Sequence, residues 1–151
     1  MFEAELFARL IIPDSTAITA FHTLKEMGYK QLKGLKRELY YKFYAEGSYD
    51  NFKELIGKVD ILVNYNKNRF SVKRPEEKFV DNNSVRILLK SIENDCAELL
   101  STLKNRLGFS EIKKMERGVV WIFEGVTEET AKEMTEKLLS NKHYQDYKIL
   151  N

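Results

Sequence analysis

The chain has 151 residues, 43% of them hydrophobic and 12% aromatic, enough apolar material for a globular fold and too much for a disordered tail. Its 25 basic and 23 acidic side chains leave a net charge of +2, so no large single-sign field for capturing nucleic acid is expected. A single cysteine, Cys96, excludes an internal disulfide and a cysteine-rich zinc site, and a reducing cytoplasm is the expected setting. Met1 to Ile12 alternates charged and apolar residues where a signal peptide carries a basic start and a long apolar run. No apolar stretch reaches the ~20 residues of a membrane helix.

The alternating segment Glu3–Ile12 predicts a strand with one buried face. A helix follows: Asp14 or Ser15 can cap it, Ala17, Phe21 and Leu24 share a face, and Gly28 supplies a left-handed stop. Leu32–Tyr44 reads as a long extended stretch, with Leu39, Tyr41 and Phe43 to one side and Tyr40, Lys42 and Tyr44 to the other. Asp50–Val63 fits a helix through Phe52, Leu55, Ile56, Val59 and Val63, with Asn64 in a left-handed terminal position. A short strand around Phe70-Ser71-Val72 closes this half, and the charged segment 75–83, which carries Pro75, joins it to the next.

The second half predicts the same order. Val85–Lys90 is a strand, Leu99, Leu100, Leu103 and Leu107 line a helix ending at Gly108, and Ile112–Glu124 is extended with Val119, Trp121 and Phe123 on one side. Thr127 caps a second helix with Glu128 and Glu129 at its positive start, and Ala131, Met134 and Leu138 share its face. Asn141 takes the place of Asn64, and Tyr147-Lys148-Ile149 forms the last strand. Gly34 and Gly118 lie inside the long extended stretches and predict a bend or hairpin that splits each in two.

The two halves are self-similar. Thr23-Leu24-Lys25 through Gly28-Tyr29 recurs as Thr102-Leu103-Lys104 through Gly108-Phe109, and Leu32, Leu35, Arg37 and Phe43 then match Ile112, Met115, Arg117 and Phe123 in constant register. The expected architecture is α+β: β-α-β-β-α-β twice, residues 1–74 and 84–151 joined by 75–83, with antiparallel sheets.

The closing segment Glu136-Lys137-Leu138-Leu139-Ser140-Asn141 through Asp146-Tyr147-Lys148-Ile149 resembles the C-terminus of the PurS family, the small subunit of formylglycinamidine ribonucleotide synthase in purine synthesis. Arg117-Gly118 before an apolar strand resembles the family's Arg-x-Gly-type turn, and Ala20 to Gly28 is similar to its first helix. The loops after the first strands depart from the family, reading Pro13-Asp14-Ser15 and Glu93-Asn94-Asp95, and Tyr65 and Lys142 stand where proline commonly follows the terminal Asn. The resemblance implies two fused PurS-like units mimicking a PurS dimer. It implies a non-catalytic adaptor that joins a PurL-like synthetase to a PurQ-like glutaminase and aids ammonia transfer. ATP, magnesium and glutamine would be bound by those partners and no cofactor by this chain, and the chain itself would pair as a homodimer if more than two units are needed.

No nucleophile–base pair, metal-ligand cluster or phosphate-binding glycine loop is visible. His22 and His143 occupy non-equivalent positions and read as surface or packing residues. Cys96 reads as a small buried apolar residue, and Glu76-Glu77 and Glu128-Glu129 as a solvated connector and a helix start. Arg37 and Arg117 are the repeated basic residues at a predicted turn. They read either as solvated charges or as forks onto a partner, which arginine's planar donors suit. With Asn64 and Asn141 they form the candidate partner-binding set. Two other readings stand: a regulatory module binding a metabolite, and RNA stacking on Tyr40, Tyr41, Phe43 and Tyr44 beside Lys36, Arg37 and Lys42. Neither nucleic acid nor a membrane is the expected partner.

Overall fold

The computed structural model describes residues 1–60, 62, 68–79, 83–91, 96–141 and 143–150. Its elements run β1 (Phe2–Leu10), α1 (Ser15–Glu26), β2 (Gly34–Ala45), α2 (Tyr49–Ile56), β3 (Asn68–Lys73), β4 (Ser84–Ser91), α3 (Ala97–Asn105), β5 (Ile112–Glu124), α4 (Glu128–Met134) and β6 (Gln145–Leu150). A π-helical turn, Thr135–Leu139, continues α4. The strands form a six-stranded antiparallel sheet in the order β3-β1-β2-β5-β4-β6. The protein is therefore α+β, and each half runs β-α-β-α-β.

The expected hairpins at Gly34 and Gly118 are absent, and β2 and β5 each run unbroken. Gly34 is the first residue of β2. Gly118 answers a different need: a Cβ there would stand 2.5 Å from the Leu89 carbonyl oxygen of neighbouring β4, so glycine serves strand approach rather than a bend. The helix predicted over Asp50–Val63 ends earlier, at Ile56 with Gly57 as its cap, and Val59 and Leu62 are buried beyond it. Gly57 is also a packing glycine, since a Cβ there would enter the Phe70 ring at 2.2 Å. Leu107, expected on the core face of α3, is 46% exposed because α3 ends before it.

Two compact units divide the chain, and their boundaries cut across its sequence order. Unit 1 takes Met1–Ile11, Leu39–Glu77 and Asn94–Arg117. Within it β1 pairs antiparallel with β2 from Phe2↔Ala45 to Ala8↔Leu39, and with β3 from Glu5↔Lys73 to Leu10↔Asn68. Its core joins Ala4, Leu6, Phe43, Phe52, Ile56 and Val72 from the first half to Leu103, Phe109, Ile112 and Met115 from the second. Phe52 sits edge-on to both Phe43 (5.3 Å) and Phe109 (6.1 Å).

Unit 2 takes Ile12–Glu38, Lys78–Glu93 and Gly118–Asn151. There β4 pairs with β5 from Ser84↔Glu124 to Leu89↔Val119, and with β6 from Arg86↔Leu150 to Ser91↔Gln145. Its core joins Ile87, Leu89, Trp121, Phe123, Ala131 and Met134 to Ala17, Leu24, Tyr29, Leu32 and Leu35 of the first half. Each unit thus packs the first helix of one half against strands of the other.

Equivalent residues have equivalent burial: Leu24 and Leu103 are 0% exposed, Leu32 and Ile112 0%, Phe43 and Phe123 0%. Gly28 (φ +107°) and Gly108 (φ +80°) provide the two left-handed stops the sequence predicts. One expectation for β1 changes: its middle is buried on both faces, with Glu5 and Phe7 buried as well as Ala4 and Leu6.

Candidate functional site

Arg37 projects from β2 toward the start of α1, in unit 2. The α1 N-cap is Asp14, whose carboxylate accepts from the backbone N–H groups of Thr16 (3.1 Å) and Ala17 (3.3 Å). Arg37 forks onto the same carboxylate, Nε to Oδ2 at 3.0 Å and Nη2 to Oδ1 at 3.3 Å. One acidic side chain thereby caps a helix and binds a guanidinium, with both groups partly screened from water. The fork anticipated for a partner is made to the chain's own helix.

The other candidate residues differ. Arg117 lies exposed on β5 in unit 1, where its charge favours ionisation of Tyr41 against the stronger effect of burial, which raises that hydroxyl's pKa. Asn141 is exposed, and its expected left-handed conformation is absent: among the described residues only glycines have positive φ. Its Oδ1 accepts from His143 N (3.1 Å), its N–H donates to Gln145 Oε1 (3.0 Å), and its carbonyl accepts from Tyr144 N and Gln145 N. These bonds build a tight turn into β6, which removes the need for a left-handed residue. Asn64 lies outside the described residues.

Sequence reasoning missed a buried polar network in unit 1. Glu5 is 5% exposed. Its carboxylate accepts from the Tyr40 hydroxyl at 2.6 Å and from Lys73 Nζ at 2.9 Å. Lys73 also donates to the carbonyls of Arg74 (3.3 Å) and Glu77 (2.9 Å), so it ties the end of β3 to the segment that follows. Burial, and then the hydrogen bond and negative charge of Glu5, push the Tyr40 pKa far above its ordinary value. A tyrosine so shifted holds its proton at neutral pH, and a buried carboxylate paired to a cation is a clamp whose breaking is costly. Beside it the Tyr44 hydroxyl donates to Glu116 (3.2 Å), and Lys42 and Lys114 lie 5.1 and 5.2 Å from the Tyr44 ring.

No family model and no curated protein matches the chain.

The aromatic run is used in packing: Tyr40 is 1% and Phe43 0% exposed, with Tyr41 and Tyr44 half-buried. Cys96 is buried at the start of α3, His22 stacks on Phe21, and His143 is exposed beside Tyr144. Among the described residues no group of three or more His, Cys, Asp or Glu is placed to hold a metal ion. No helix among them is long and apolar enough to cross a membrane.

Proposed function

We propose that this chain is a cytoplasmic, non-catalytic assembly subunit of the PurS type, two fused PurS-like repeats that bridge the synthetase and glutaminase of formylglycinamidine ribonucleotide synthase and aid ammonia transfer. The observation that carries this reading is the pairing of each half's first helix with the other half's strands, at matched burial: Leu24 and Leu35 in one core, Leu103 and Met115 in the other. A chain built in this way supplies alone what two interlocked copies of a shorter subunit supply together. The PurS-like closing segment, which spans the π-helical turn and β6, supports the same family.

In this reading the chain's contribution is surface, and ATP, magnesium and glutamine are bound by its partners. Arg117 is a candidate for a partner contact because its side chain is exposed on β5. The RNA-binding reading loses support from the packing of Tyr40 and Phe43, which leaves only two half-buried rings of the run for stacking.

Capture of the tagged protein from its host's lysate with glutamine and Mg-ADP, read by mass spectrometry, tests the proposal. Recovery of both a PurL-like synthetase and a PurQ-like glutaminase, weakened by Arg117→Ala, is expected. Recovery of neither would overturn the adaptor role and favour the metabolite-binding module.

A further inference from the structure

We infer that β6 is a self-pairing edge, through which unit 2 binds a second copy of this chain in one antiparallel register centred on Tyr147. The inference does not rest on the adaptor role. Among the described residues β6 (Gln145–Leu150) closes one end of the sheet and is paired on one side alone, by β4. The backbone N–H and C=O groups on its outer side are open to a further strand, and the strand has no proline to turn one away.

The side chains select the occupant. Tyr147 and Ile149 pack against the core of unit 2, and alternation leaves Asp146 and Lys148 exposed on the other face of the strand. Neither Asp146 nor Lys148 forms an ion pair with a described residue. Two copies of β6 related by a two-fold axis at Tyr147 set Asp146 of each against Lys148 of the other, so one strand sequence supplies both halves of two opposite-charge pairs. Residues directly opposite in an antiparallel pair stand about 4.5–5.5 Å apart at Cβ, within reach of such a pair. The same register brings Tyr144, 67% exposed just before the strand, opposite Leu150 of the second copy, so an apolar contact flanks each charge pair.

The same charges exclude the neighbouring registers. Slid by two residues one way, Asp146 faces Asp146 of the second copy, and slid the other way Lys148 faces Lys148, which sets like charges directly opposite. A slide of one residue would bring exposed side chains beside core-facing ones.

The strand at the other end of the sheet lacks this property. β3 carries Arg69 and Lys73 and no acidic residue, so no register of two β3 strands pairs opposite charges, and Lys73 is already held by Glu5. A basic edge of this kind deters a second strand, whereas the free acidic and basic side chains of β6 admit one of its own sequence. A single strand pair with its flanking side chains lies at the small end of specific interfaces, so association in the micromolar range is expected.

Sedimentation equilibrium of the whole chain across about 1–500 µM tests the inference, with the charge reversals Asp146→Lys and Lys148→Asp made in separate chains. Wild type is expected to dimerise, and each reversal, which sets like charges together, to weaken the dimer about tenfold or more at unchanged melting temperature. Mixing the two variants is expected to restore a dimer, since one then presents two lysines and the other two aspartates. Should a reversal unfold the chain, amide hydrogen exchange of wild type decides, the β6 amides gaining protection as the dimer forms. A wild-type chain that stays monomeric over this range would overturn the inference. So would a dimer whose affinity neither reversal changes, a mixture that associates no better than its components, or a dimer that leaves β6 exchange unaltered.

Discussion

Replacing Tyr40 by phenylalanine removes one hydroxyl from the buried network of unit 1 and nothing else. At pH 8 the loss of a 2.6 Å hydrogen bond to a carboxylate should cost about 1.5–3 kcal/mol. The pH dependence is the sharper consequence. Below pH 10 tyrosine is neutral in both folded and unfolded chains. Above it the unfolded chain ionises near the ordinary value of 10.0 while folded Tyr40 keeps its proton, so the folded state binds more protons and loses stability as pH rises. One such group contributes a loss of about 1.4 kcal/mol by pH 11. The phenylalanine variant has no phenolic proton to lose at this position, so the stability gap between wild type and Tyr40→Phe should shrink by that amount between pH 8 and pH 11. Tyr41 and Tyr49, also raised chiefly by burial, steepen both curves alike. Urea denaturation followed by circular dichroism at pH 8, 9, 10 and 11 measures the gap. A gap that stays constant over this range would refute the reasoning, as would wild-type absorbance at 295 nm showing every tyrosine ionised near pH 10 in the folded protein.

Leu24→Ala and Leu103→Ala, at equivalent and fully buried positions, should each destabilise by about 2–5 kcal/mol and by similar amounts, measured by denaturant midpoint. Asp14→Ala removes both the α1 cap and the anchor of Arg37, so it should cost about 1–3 kcal/mol, and a double-mutant cycle with Arg37→Ala should show coupling above about 0.5 kcal/mol. Gly118→Ala should destabilise by about 1 kcal/mol or more, because its Cβ must displace the Leu89 carbonyl. Fragments 1–77 and 78–151 should each fail to fold as a monomer and should regain the intact chain's circular dichroism when mixed, since each core needs residues from both. A monomeric, cooperatively folding 1–77 would contradict the shared cores.

Local features were legible in the sequence where local physics sets them. The helical spacing of Ala17 and Leu24, the stops at Gly28 and Gly108 and the cap at Thr127 all follow from residues within a turn or two of each other. The shared cores were not legible, because periodicity tells that Leu103 faces inward without telling which strands it meets. Gly118 reads as a break only while the proximity of Leu89 is unknown. Glu5 alternates with Ala4 and Leu6 and so reads as solvent-facing. Its burial depends on the registers that bring Tyr40 and Lys73 to it, and those are set by β1's pairing with β2 and β3. At the candidate site Asp14 and Arg37 were both singled out, one as a cap and one as a fork. Their union needs the return of β2 to the start of α1, a tertiary fact that no spacing encodes.

The adaptor role stands or falls most directly on reconstitution. Purified chain would be mixed with the host's PurL-type synthetase and PurQ-type glutaminase, and formylglycinamidine ribonucleotide formation measured with glutamine and, separately, with ammonia as nitrogen donor. The predicted result is that the chain is required for synthesis from glutamine and is dispensable with ammonia. Synthesis from glutamine at the same rate without the chain would contradict it.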